Sequence, residues 1–132
     1  MKQLLQQKLL FKVLFWLWGL TIFILSSLPN IPTQKINIWN EPFRLDYLEH
    51  FGVFFIWGGF LLLWIVNENG KVNWSSKYLY FLGSIIFAAV DEIHQIWIPG
   101  RSFNPLDLVY NILGLLAAYF LIPLYLKQFY KK

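Results

Sequence analysis

Two adjacent carboxylic acids, Asp91 and Glu92, stand with His94 and Gln95 at the end of a run that carries no charge from Tyr78 to Val90. In the middle of a membrane helix each carboxylate costs about 2.5–3.5 kcal/mol, so a pair at such a place needs partners and points to a functional site. Two neighbouring carboxylates in a low dielectric cannot both ionise cheaply. One of them therefore tends to hold a proton and to serve as an acid. Together with Asp107 they also offer hard oxygen ligands, while His50 and His94 offer proton transfer or a nitrogen ligand. Arg101, in the sequence Pro99-Gly100-Arg101-Ser102, has the forked geometry that holds an anion. Asp46, His50, Gln95, Asp107 and Asn111 complete the candidate set, with catalytic roles for Asp91, Glu92 and His94 and binding roles for the remainder.

These residues need a scaffold, and composition defines its class. Of 132 residues, 58% are hydrophobic and 14% charged, against roughly a quarter charged in an average soluble domain. The length allows one small domain, residues 1–132. No cysteine is present, which excludes disulfides and thiolate metal sites. The net charge of +4 does not argue for nucleic acid, because the lysines lie at the chain ends and between the apolar runs rather than along a helix face.

The apolar runs predict an all-α polytopic membrane protein with four transmembrane helices. Val13 to Leu28 forms the first span, and Pro29 to Arg44, rich in Pro and Asn, reads as a loop. A secretory signal is the other reading of the first span, but bulky Leu25, Leu28 and Pro29 spoil a cleavage site. Asp46-Tyr47-Leu48-Glu49 predicts a capped start to a second span reaching Val66, with Gly58-Gly59 placed for close helix approach. Tyr78 to Ile98 is the third span. Asn104-Pro105-Leu106-Asp107 restarts a fourth that ends near Leu126. Spans of roughly 20 residues at ~1.5 Å each reach about 30 Å, the thickness of the hydrocarbon core. Eight of the eleven basic residues then fall on one side and only Lys35, Arg44 and Arg101 on the other, which predicts a cell-membrane protein with both termini cytoplasmic.

In that arrangement the candidate residues share the outer side. Asp91 lies seven residues before Ile98 and Asn111 six after Pro105, so each is roughly 10 Å below the boundary, with His50 roughly 6 Å past its cap. Ser84, Ala88, Asp91 and Gln95 fall at i, i+4, i+7 and i+11, and Asp107, Asn111, Gly114 and Ala118 repeat the spacing. The third and fourth helices are therefore expected to pack as antiparallel neighbours along these seams.

Asp46-x-x-x-His50-Phe51, Asp91-Glu92-Ile93-His94-Gln95, Pro99-Gly100-Arg101-Ser102 and Asp107-x-x-x-Asn111-x-x-Gly114 together resemble the VanZ-like family. These are small bacterial membrane proteins named for a determinant of reduced susceptibility to the glycopeptide teicoplanin. Tyr47 departs from the pattern, since the family often has Lys after the aspartate. The resemblance implies a membrane location and a link to the cell envelope, and it assigns no reaction. Three functions follow as expectations. The first is an outward-facing polar pocket that binds an envelope ligand, either a lipid-linked precursor or a glycopeptide. The second is a membrane enzyme, metal-assisted or not, acting on a lipid-linked substrate. The third is a structural four-helix unit. No spacing names a cofactor or a metal, and the bilayer is the one partner the composition requires.

Overall fold

The computed structural model describes residues 2–32, 35–38, 41–66, 71–72 and 74–129. The chain runs through helix α1 (Lys2–Ser26), strands β1 (Lys35–Ile38) and β2 (Glu41–Arg44), and helices α2 (Asp46–Ile65), α3 (Trp74–His94) and α4 (Pro105–Phe129). Four helical stretches are long and apolar enough to cross a membrane, Gln7–Ser26, Asp46–Ile65, Lys77–Trp97 and Pro105–Lys127, the third including the 3-10 turn that extends α3. A helix satisfies every backbone group within its own segment, and lipid offers no other partner. Large apolar side chains accordingly face outward: Leu20, Leu79, Ile86 and Phe120 are each more than half exposed, whereas Asp91, Glu92 and Asn111 are buried.

Between α1 and α2 the structure corrects the loop reading. Residues 35–38 and 41–44 form an antiparallel ribbon in which Lys35 pairs with Arg44, Ile36 with Phe43, Asn37 with Pro42 and Ile38 with Glu41. Proline cannot donate to a ladder, but in a two-stranded ribbon either strand has a free edge, so Pro42 is tolerated. The ribbon delivers Arg44 to the start of α2. The cap expected there is also corrected. Leu45 precedes the helix in helical geometry with no side-chain capping bond, and its carbonyl accepts from Leu48 and Glu49 at 3.0 and 3.4 Å. Asp46 thus lies inside the first turn and turns its carboxylate to Arg44. At α4 the expected cap holds: Asn104 Oδ1 accepts from the Leu106 amide at 3.1 Å, and Pro105 opens the helix where no donor is needed.

The tightest helix contact joins α2 to α4, and glycines allow it. A Cβ on Gly114 would stand 2.3 Å from the Phe51 carbonyl oxygen, and one on Gly58 3.0 Å from the Ala118 Cβ. The small-residue seam of α4 therefore meets α2 and not α3, as its spacing alone had led one to expect. Helix α3 still packs on α4, through Phe81 and Tyr119 with ring centroids 4.6 Å apart. On the other flank α1 is fixed to α2 by two indole bonds. Trp57 Nε1 donates to the Phe15 carbonyl and Trp18 Nε1 to the Val53 carbonyl, both at 3.0 Å. The Phe15 and Trp57 rings stack at 4.9 Å, with Gly19 beneath the indole.

Candidate functional site

Helices α1 and α3 end at the level where α2 and α4 begin, so four helix ends carrying polar side chains converge at the end of the bundle away from the chain termini. Ser26, Asp91, Glu92, Gln95, Asp107 and Asn111 are all buried there. A cavity of about 490 Å³ opens among them, lined on its polar side by Arg44, Asp46, His50, Asp91, Gln95, Arg101 and Asp107. The turn that carries Arg101 is held in place by Asn30, whose amide donates to the Pro99 carbonyl at 3.2 Å. Gly100 adopts φ +75° in that turn, with Asn30 Oδ1 only 2.1 Å from where a Cβ would be. No side chain fits at that position.

On the α1–α3 side the partners are two hydroxyls at the end of α1, Ser26 and Ser27. Ser26 Oγ donates to Asp91 Oδ1 at 2.6 Å. His94 Nδ1 lies 2.8 Å from the Asp91 carbonyl and donates to it, and Nε2 lies 3.0 Å from Ser27 Oγ, whose hydroxyl also reaches the Phe23 carbonyl at 2.6 Å. The His94 ring also stacks on Phe23 at 4.7 Å. His94 thus serves the α1–α3 contact and is turned away from the cavity.

On the α2–α4 side Arg44 is the residue that sequence reasoning missed. Its guanidinium is a forked partner of Asp46 and reaches Asp107 Oδ2 at 3.3 Å. The hydrogen bond to Asp46 holds Arg44 protonated even more firmly than usual. Arg44 therefore supplies the positive charge that Tyr47 lacks. Tyr47 packs its ring under the same guanidinium at 4.9 Å and stacks on Tyr110 at 4.8 Å. The one clue in the sequence was the spacing Arg44-x-Asp46, which needs the ribbon to become a contact.

His50 sits where the two sides meet. Its Nδ1 is 2.9 Å from Asn111 Oδ1 and 3.6 Å from Glu92 Oε1, and its Nε2 is 3.7 Å from Asp107 Oδ2. Asp107 Oδ1 accepts from Asn104 Nδ2 at 2.8 Å. Ligand atoms of Asp46, His50 and Asp107 all lie within 4.8 Å of one another, which is close enough to hold a metal ion. Asp91, by contrast, is committed to Ser26.

Glu92 is fully buried; no side chain hydrogen-bonds its carboxyl, and the Asn104 backbone is the donor within its reach. Gln95 Nε2, Asn111 Nδ2 and Arg101 Nε are buried and unpartnered. Each such group costs about 1–3 kcal/mol, so three in one layer outweigh what helix cohesion alone requires. The positive charge of Arg101 bears on Asp91, Glu92 and Asp107 together. A family model described as VanZ/LLP1 matches residues 9–126. No curated protein and no solved structure matches the chain.

Proposed function

The chain belongs to the VanZ/LLP1 family, and from that membership and its four membrane-length helices we propose that it binds an anionic cell-envelope ligand in the cavity at the bundle end. The ligand class is a lipid-linked envelope precursor or a glycopeptide, and binding alters susceptibility to teicoplanin. The observation that carries the reading is the pairing of a cavity of about 490 Å³ with buried polar groups that have no partner in the protein, Arg101 Nε among them. A ligand oxyanion meets the donors left over by Arg101 and Gln95, which both line the cavity. The excess of basic residues on the terminal side supports an outward-facing cavity in the cell membrane, with both termini cytoplasmic.

A purely structural layer predicts the opposite pattern. Interhelical glue is hydrogen-bonded, as Ser26 and Asp91 are, and it leaves no reason for unpartnered Gln95 Nε2 and Arg101 Nε beside a cavity. The two readings separate in Arg101→Gln, which removes the guanidinium that meets the oxyanion. Arg101 Nε makes no hydrogen bond within the protein, so membrane abundance stays normal under either reading. Under ligand binding the teicoplanin phenotype is lost at matched expression. Wild-type susceptibility in this variant would leave the structural reading standing.

A further inference from the structure

We propose that Asp46, His50 and Asp107 form a site for one divalent cation at the wall of the cavity. The three ligand atoms come from two helices that Gly58 and Gly114 hold at close range, and they already lie within 4.8 Å of one another. All three residues line the cavity, so the coordination positions the protein does not fill face open space.

The histidine is prepared for this role. With the Asn111 oxygen 2.9 Å from Nδ1, that nitrogen carries the proton and Nε2 presents its lone pair. It faces Asp107 Oδ2 at 3.7 Å, too far for a hydrogen bond and a separation that two ligands of one cation can have. The hydrogen bond from Nδ1 to Asn111 is the kind of contact that fixes the tautomer and orientation of a metal-binding imidazole. Glu92, fully buried, stands behind the ring with Oε1 3.6 Å from the same Nδ1, beyond hydrogen-bond reach.

Charge leads to the same place. Among the described residues the layer holds the acids Asp46, Asp91, Glu92 and Asp107, with Glu49 at the cavity rim, against the guanidiniums of Arg44 and Arg101. With one proton shared by the adjacent pair Asp91 and Glu92, acids still outnumber guanidiniums. A divalent ion offsets that excess, which a low-dielectric setting favours. Arg44 does not block the site, because each carboxylate oxygen has a second lone pair beyond the one it gives to the guanidinium. One imidazole and two carboxylates select Zn²⁺ or Mn²⁺ over Ca²⁺, which takes oxygen ligands.

The test uses the purified full chain in detergent, stripped with chelator and titrated with Zn²⁺ or Mn²⁺ alone, with bound metal counted by elemental mass spectrometry. The wild type is expected to take up about one equivalent. His50→Gln and Asp107→Asn should abolish uptake, and Asn111→Leu should weaken it roughly 10- to 100-fold, the range for a group that orients a ligand. His94→Gln, at the chain's other histidine, should leave uptake unchanged. No uptake by the wild type, or uptake that survives His50→Gln in a folded protein, overturns the site. If the ligand variants do not fold, X-ray absorption of the zinc-loaded wild type decides: one imidazole with oxygen ligands supports the site, and none or two refute it. Metal uptake is measured with no antibiotic or envelope ligand present, so its failure leaves the ligand-binding reading untouched, and the converse holds.

Discussion

Gly114→Ala tests whether the α2–α4 contact sets the geometry of the polar layer. The new methyl would lie 2.3 Å from the Phe51 carbonyl oxygen and 3.0 Å from the Phe55 amide nitrogen. Both are backbone atoms, so no side chain can swing aside. A carbon needs at least about 3.3 Å from such an oxygen, which forces the helices apart by about 1 Å. Overpacking of this kind costs about 1–3 kcal/mol. At roughly 4 °C per kcal/mol for a chain of this length, a midpoint of 2 kcal/mol lowers the melting temperature by about 8 °C. The displacement also acts on the site, since Phe51 follows His50 and Gly114 follows Asn111 by one turn. A 2.9 Å bond between His50 and Asn111 does not survive a 1 Å separation. The matched control is Gly59→Ala, whose Cβ meets only Ile122 Cδ1 at 3.9 Å and gains helix propensity. Differential scanning fluorimetry in detergent reads both variants. Equal melting temperatures for Gly114→Ala and wild type would show that α2 and α4 are not in the contact described.

Other outcomes follow from the same geometry. Ser26→Ala removes the 2.6 Å donor from buried Asp91 and should cost about 1–3 kcal/mol; in an Asp91→Asn background the cost should shrink by at least about 1 kcal/mol, and a strictly additive double-mutant cycle would deny the coupling. Arg44→Met strips the shared partner of Asp46 and Asp107, and it should lower both stability and ligand binding, whereas Lys35→Met at the paired ribbon position should change neither. Because the chain has no cysteine, a cysteine introduced at Asn37 or Ser102 should react with an impermeant thiol reagent on intact cells, and one at Lys71 should not. The reverse labelling pattern would place the cavity on the cytoplasmic side.

The spans could be read from the sequence because a membrane crossing needs little more than length and hydropathy, which Phe51 to Val66 and Leu106 to Leu126 supply without tertiary help. The polar layer was readable in its level, since depth follows from rise per residue. Partners were not. The spacing of Asn111, Gly114 and Ala118 says that some helix comes close, but whether α2 or α3 fills the seam depends on Phe51 and Gly58, far away in the chain. Arg44 and Ser26 were hidden for a similar reason. Each looks like ordinary punctuation at the edge of a span until a ribbon or a neighbouring helix carries it to an acid.

The two indole bonds between α1 and α2 have a mechanical consequence. Trp57 holds the Phe15 carbonyl and Trp18 holds the Val53 carbonyl, one bond running in each direction between the helices. In hydrocarbon neither indole finds water as a substitute, so sliding α1 along its axis by even one residue, ~1.5 Å, breaks both bonds at once. Ser26 stands eight residues beyond Trp18, ~12 Å along the same rod. The tryptophans near mid-bilayer therefore act as a detent that sets the height at which the serine hydroxyls arrive opposite Asp91 and His94. A pull on the N-terminal segment would be felt at the acids as an all-or-none click, not as a gradual drift.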